Sequence, residues 1–250
     1  MKPLRPHPPL PAWYGAEARR APWVRALFDR TARHYDRING ILSLGTGRAY
    51  RRRALRWAGI GPGMRVLDVA TGTGILAREV MALVGPGGAV VGLDPSAGML
   101  AACRAALGPG MPLLRGEGEN LPIADASVDA VTLGYALRHM ADLRPLFAEF
   151  RRVLRPGGIV LVLEKTRPRH RLWRACAHGW FGLGVPALSR IAALGRGGGE
   201  ARALMRYYWD TVEHCVPPET ILAALAEAGF TAPRLQRELD LFGAYAARAA

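Results

Sequence analysis

Lysine is nearly missing from this chain: 32 of its 34 basic residues are arginines, a bias in keeping with genome composition. Cysteine is scarce as well. Cys103, Cys176 and Cys215 are odd in number, far apart and free of any CxxC or zinc-like spacing. That excludes a disulfide framework and a structural metal site, and leaves a reduced cytoplasmic protein as the expectation. Long apolar runs are absent. The most apolar window, Gly179 to Gly195, is short, contains Arg190 and is broken by Pro186, which argues against a transmembrane helix. No apolar segment follows the N-terminal charges, only Lys2-Pro-Leu-Arg-Pro-His-Pro-Pro, so no secretory signal is visible. Acidic residues are outnumbered 20 to 34, giving a net charge of +14.

What is present fits a single domain with embellishments. The chain has 250 residues, half of them apolar, enough for a full core. Its charge is uneven: +10 over residues 1–60, −1 over 61–164 and +5 over 165–250. Basic flanks around a neutral centre suit peripheral contact with anionic lipid on the inner face of a membrane, RNA, an acidic partner or a plain solvated surface. No recognised RNA-binding module accompanies them, so no specific nucleic acid is expected. A homodimer is compatible with the sequence.

The stretch with most content is Val66-Leu-Asp-Val-Ala-Thr-Gly-Thr-Gly74. Val66, Leu67 and Val69 have the character of a strand buried on both faces. Thr71, Gly72, Thr73 and Gly74 form a turn where backbone can approach a ligand, and Ile75 to Leu83 follows with helical spacing. In open α/β sheets ligands bind outside the carboxyl ends of strands, as at this turn. Two cofactor classes use such a unit. Gly72-x-Gly74-x-x-Ala77, with Asp94 twenty residues past Gly74, fits the dinucleotide fingerprint. The other class is the S-adenosyl-L-methionine methyltransferases, whose loop resembles Asp-x-x-x-Gly-x-Gly. Asp68 favours the second, because a carboxylate there suits a cationic methionine moiety and would repel a pyrophosphate.

Strands and helices alternate onward from residue 64. Ala89 to Asp94 is a second buried strand, and Asp94, with Pro95 beside it, could bridge ribose hydroxyls or N-cap the next helix. Pro112 to Arg115 is a third strand. Glu117 and Gly118 follow it, where a carboxylate could accept from an adenine amino group or be an ordinary turn residue. Ala130 to Leu133 is the fourth strand, and Gly134-Tyr-Ala-Leu-Arg-His139 stands at its carboxyl end. Ile159 to Glu164 is the fifth, and Phe230 to Leu235 with Leu239 to Ala247 a terminal pair. The boundaries implied are a flexible proline-rich arm (1–22), an N-terminal helical lid (23–60), a cofactor-binding core (61–164), an aromatic helical insertion on the substrate side (165–215), and a C-terminal helix and strand pair (216–250). No internal repeat is apparent.

Together these motifs resemble the class I S-adenosyl-L-methionine-dependent methyltransferases, and most closely the ubiquinone/menaquinone biosynthesis C-methyltransferase family. Phe28-x6-Tyr35-Asp36-x2-Asn39, the loop Asp68 to Gly74, Glu119-Asn-Leu-Pro122, Leu137-Arg138 and Arg152-Val-Leu-Arg-Pro-Gly-Gly158 look like that family's landmarks in its order. The resemblance implies an α/β fold: a doubly wound, Rossmann-like seven-stranded sheet with N-terminal helices and an inserted helical segment. It implies S-adenosyl-L-methionine as cofactor, held by Tyr35, Asp68, Thr71, Gly72, Thr73, Gly74, Asp94, Pro95, Glu117, Gly118 and Gly134.

The chain departs from the family's usual pattern at Ile75, at residues 134–139, in the aromatic insertion and in its Leu-Phe-Gly-Ala-Tyr ending. The expected acceptor is a small aromatic or quinone-like molecule methylated at carbon, with O- or N-methylation of another small molecule as the runner-up. A phenolic acceptor must lose its proton. His139 is the histidine at the strand end, and an imidazole with a reference pKa of about 6.5 can take one. Arg138 could stabilise the phenolate or pair with a carboxylate, and Tyr135 could line the ring pocket.

Overall fold

The computed structural model describes residues 3–192 and 198–250. Helix α1 (Pro11–Tyr14) precedes two longer ones, α2 (Arg20–Leu42) and α3 (Gly47–Ala58). Then β1 (Arg65–Val69), α4 (Ile75–Val84), β2 (Ala89–Asp94), α5 (Ala97–Leu107), β3 (Leu113–Arg115), β4 (Val128–Gly134), α6 (Leu143–Val153) and β5 (Leu154–Lys165) build the alternating core. Helices α7 (Arg171–Gly179), α8 (Val185–Ala192) and α9 (Gly198–Glu213) form the insertion. Finally α10 (Pro218–Glu227), β6 (Phe230–Glu238) and β7 (Phe242–Ala249) close the chain.

The sheet has seven strands in the order β3-β2-β1-β4-β5-β7-β6. Strands β1 to β5 pair in parallel, Val66 lying between Val90 and Ala130, whereas β7 runs antiparallel between β5 and β6. Alternation along each strand divides the core between two faces. Leu67, Val69, Val131 and Leu133 pack with Phe147 and Phe150 of α6 on one face. Val66 and Ala130 pack with Leu55 of α3 and Val80 of α4 on the other. A third cluster joins Leu27 and Ile38 of α2 to Val185 of α8 and Tyr207 and Val212 of α9. Helix α2 and the insertion are thus one apolar unit, while α3 packs on the sheet.

Two expectations change. The flexible arm is a docked strap. Leu4 N–H donates to Asp142 Oδ1 at 3.0 Å, Pro6 carbonyl accepts from Val216 N–H at 2.8 Å, and Trp13 Nε1 donates to Asp210 at 2.8 Å. Proline carbonyls can pair along a surface without any apolar period, so pattern reading misses such a segment. The doubly wound seven-stranded sheet is as expected, parallel through β1 to β5 with the terminal hairpin inserting β7 antiparallel. The third strand shrinks to Leu113–Arg115, the fifth extends to Leu154–Lys165 and the terminal pair to Phe230–Glu238 and Phe242–Ala249. No described helix is long and apolar enough to cross a membrane, and the window Gly179 to Gly195 falls partly outside the described residues.

Candidate active site

The turn after β1 is fixed by carboxylates on both sides. Gly72 and Gly74 take left-handed φ angles of 57° and 82°. A Cβ at Gly74 would stand 2.7 Å from Cys103 Sγ and 2.6 Å from Leu107 Cδ1, so only glycine seats α4 against α5. Asp68 accepts from the hydroxyls of Thr71 at 2.7 Å and Thr132 at 2.6 Å. Both its oxygens are thereby engaged within the protein, and it lies behind the loop. Asp94 accepts from Gly72 N–H at 2.8 Å and Ser96 N–H at 2.9 Å, and it also lines a cavity. Ser96, not Asp94, caps α5 by accepting from Met99 N–H at 3.0 Å. Burial pushes both Asp68 and Asp94 up to about 6.

Helix α2 is pinned across this turn by side chains given no role from the sequence, although Asp36 stands in its landmark motif. Asp36 accepts from Thr73 Oγ1 at 2.5 Å, and Asp29 from Ser96 Oγ at 2.6 Å and Gly98 N–H at 2.9 Å. Arg20, buried, donates to the carbonyls of Arg138 at 3.0 Å and Met140 at 2.8 Å. The sequence signal for Asp29 and Asp36 was their place on the polar side of an amphipathic helix that precedes a glycine loop. Beneath α2 lies a cavity of about 200 Å³, lined by Tyr35, Asp94, Pro95, Glu117, Gly118 and Gly134 among others. These expected site residues are thus brought together. Glu117 is exposed and pairs with Arg25 at 2.8 Å. Thr71, Gly72 and Thr73 line a small adjoining chamber of about 40 Å³, with Tyr35 and Gly134 again in its wall.

Tyr135 is the partition of the site. It holds a left-handed φ of 61°, a strained conformation for an aromatic residue, fixed by its N–H donating to Leu163 carbonyl at 2.6 Å. Its ring lines the first cavity, the loop chamber and a third cavity of about 400 Å³.

The next two candidates part company. Arg138 lines none of these spaces. Its guanidinium is fully buried, pairs with Glu164, donates from Nε to Thr211 Oγ1 at 3.0 Å and stacks 3.8 Å from the Tyr208 ring centre. His139 does line the first cavity. Its Nδ1 lies 3.1 Å from the Tyr207 hydroxyl, its ring stacks on Tyr207, and its buried Nε2 has no partner among the described residues. Burial, reinforced by Arg138, Arg20 and His7, presses the imidazole well below its ordinary value, so it stands neutral.

The third cavity is lined by Asn39 and Leu42 of α2, Tyr50, Arg51 and Arg53 of α3, Tyr135, Lys165, and Glu238 and Phe242 of the terminal hairpin. Arg51 also lines the loop chamber. It is 8 % exposed, lies 5.3 Å from the Tyr135 ring centre and pairs with no carboxylate among the described residues. Arg53 by contrast pairs with Glu238 at 2.7 Å. Lys165, 3 % exposed at the end of β5, donates to the Tyr208 hydroxyl at 2.8 Å. Arg51 sat unmarked in an Arg-Arg-Arg run. Lys165 could have been found as a rare lysine ending an apolar strand.

Comparisons with known proteins agree with this architecture. The sequence profile described as the ubiE/COQ5 methyltransferase family matches residues 15–246. A demethylmenaquinone methyltransferase of Mycobacterium sp. (strain KMS) is 39 % identical over 170 residues, 68 % of this chain and 71 % of that protein. A ubiquinone/menaquinone biosynthesis C-methyltransferase UbiE of Pseudomonas savastanoi is 32 % identical over 219 residues, 86 % and 83 % of the two chains. The crystal structure of a SAM-dependent methyltransferase from Aquifex aeolicus superposes with a TM-score of 0.56 at 18 % identity, covering 80 % of this chain and 89 % of that one. At that identity it shows the shared fold.

Proposed function

The chain belongs to the ubiE/COQ5 methyltransferase family and is an S-adenosyl-L-methionine-dependent methyltransferase, and on that premise we propose that it methylates a ring carbon of a quinone-like acceptor. The observation that carries this reading is the third cavity: aromatic and aliphatic walls with basic groups at its edge, sharing Asn39, Arg51 and Tyr135 with the loop chamber. The names of relatives at 39 % and 32 % identity point to the same chemistry.

The residues present fit the cofactor. Arg51 is a buried cation with no carboxylate partner among the described residues, in the wall of the loop chamber. A carboxylate such as that of a methionine moiety would complete it. Asp94 would hold the ribose hydroxyls, and Glu117 with the backbone of Gly118 the adenine. Asp68 would act through Thr71, holding the loop. The cofactor supplies a methyl group on a sulfonium, an electrophile with a good leaving group.

The chain's own task is then positioning and dehydration, which can contribute up to about 7–11 kcal/mol. Tyr135 would form the wall against which the acceptor ring lies, and Tyr35 and Gly134 would border the transfer point. Arg138 would be a positioning residue, because its guanidinium is engaged by Glu164 and Thr211. His139, held neutral, would offer a hydrogen bond to a ligand in the first cavity. The test is incubation of the protein with isotope-labelled S-adenosyl-L-methionine and 1,4-naphthoquinol, with the labelled position read by NMR. A C-methylated ring supports the reading. A methyl ether, or no methylated naphthalene at all, sinks it.

A further inference from the structure

Among the described residues Lys165 is the one lysine in an arginine-rich protein. Arginine stays protonated at every accessible pH, whereas a buried lysine can exist as the free amine. The position therefore differs in kind from every arginine site among the described residues. Lys165 borders the third cavity from the carboxyl end of β5, facing Arg51 and Tyr50 of α3 and Glu238 of β6 across it. Among the described residues no carboxylate pairs with it. Glu164, its neighbour in sequence, is turned to Arg138 and accepts the Lys165 backbone N–H at 2.7 Å. Glu238 is paired with Arg53.

Its surroundings are aromatic instead. The Nζ atom lies 4.5 Å from the ring centre of Tyr208, 4.6 Å from Tyr135, 5.8 Å from Phe242 and 5.9 Å from Phe181. Burial, with the Arg138 and Arg51 charges adding to it and Glu164 opposing, drives the amine well below the usual lysine range. That shifts the group toward the free amine, the form able to accept a proton. Four ring faces and the Tyr208 hydroxyl are in place to stabilise the ammonium form once a proton arrives.

We infer that Lys165 is the proton acceptor for a ring hydroxyl bound in the third cavity, a catalytic role that rests on the methyltransferase reading of that cavity. The O–H bond breaks with its electron pair left on oxygen, and an N–H bond forms on Nζ. The neutral aromatic acceptor becomes a phenolate beside a caged ammonium, and its ortho carbon becomes electron-rich. His139 lines a different cavity and is hindered from gaining charge by burial, with the Arg138 and Arg20 guanidinium groups adding to it. Tyr135 and Tyr208 are both pushed upward by burial, so neither supplies a base.

The chain holds only two lysines, Lys2 and Lys165, so wild-type protein labelled at lysine Cε gives a spectrum in which Lys165 is directly assignable. The expected result, with S-adenosylhomocysteine bound, is a free-amine signal near neutral pH that converts to ammonium on addition of 4-nitrophenol. A Lys165 signal that is already ammonium throughout neutral pH, or that ignores 4-nitrophenol, overturns the inference. With 1,4-naphthoquinol, Lys165→Met should lower kcat by roughly 10²- to 10⁴-fold. Its affinity for S-adenosylhomocysteine should stay within about twofold of wild type, an order-of-magnitude bound for a residue outside the loop chamber.

Wild-type kcat should fall in acid as the amine is protonated, and Lys165→Arg, permanently charged, should fail to restore activity. Recovery by Lys165→Arg to near wild-type rates would assign a purely electrostatic role and overturn proton transfer. A protein whose Lys165 responds to 4-nitrophenol but which leaves naphthoquinol unmethylated would remove the quinone reading while keeping the lysine as base.

Discussion

At the Asp94 end of the cleft the carboxylates are already held by protein donors: Asp94 by Gly72 and Ser96, Asp29 by Ser96 and Gly98, and Glu117 by Arg25. At the far end, beyond Tyr135, the buried charged groups are Arg51 and Lys165, and neither has a carboxylate partner among the described residues. The first end is prebuilt in its carboxylates, each matched by donors before anything binds. The second is left electrostatically incomplete, which is costly unless a ligand or a change of protonation completes it. Fixed backbone donors belong where a constant cofactor part sits, and unmatched cations where negative charge must arrive or develop.

The largest effect should come from the buried pair that underlies both ends. Arg138→Met strands Glu164 without its cation in a fully buried site and should cost roughly 3–5 kcal/mol of stability. Urea unfolding measures it, and a loss below about 1 kcal/mol would show that the pair is not a structural fastening.

Next in size, Asp94→Ala should weaken S-adenosylhomocysteine by about 100-fold, near the 1.5–3 kcal/mol of a charge-assisted hydrogen bond. It should weaken 5′-methylthioadenosine equally, because both ligands carry the ribose. Arg51→Met separates the two ends. It should cost S-adenosylhomocysteine about 10- to 100-fold and leave 5′-methylthioadenosine, which has no carboxylate, unchanged. Equal losses for the two ligands by calorimetry would erase the distinction between the ends.

The smallest effect is on pH. Burial raises Asp94 from 3.8 to about 6, so the protonated form grows as pH falls through about 6. Affinity for S-adenosylhomocysteine should decline through that window by up to about tenfold per pH unit. Stability of the ligand-free protein should shift the other way. A carboxyl whose folded pKa is raised takes up a proton in the folded state first, so stability increases as pH drops from about 6 toward 4. Asp94→Asn should flatten the binding profile, and a profile unchanged by that variant would remove Asp94 as its source.

The legible part of the chain was the part written in local patterns. Val66 to Gly74 announced strand, turn and helix because burial on both faces, left-handed glycines and helical spacing are each set within a few residues. Asp94 was legible because its spacing from Gly74 is fixed by the length of one helix and one strand. Arg138 was legible as a residue of interest, and its alternative, pairing with a carboxylate, is where the structure puts its guanidinium: Glu164 lies 26 residues away on the neighbouring strand β5. The proline-rich strap gave no periodic signal at all.

Fold class and cofactor class therefore followed from the sequence by itself, since both depend on the order and spacing of elements along the chain. The charge state of His139, the unmatched position of Arg51 and the aromatic surroundings of Lys165 were decided by tertiary structure alone. Each depends on desolvation and on charges brought close by strands and helices far apart in sequence: α2 and α3, the end of β5, α9 and the terminal hairpin. A protonation equilibrium is set by everything within a few ångströms, and no one-dimensional spacing specifies that.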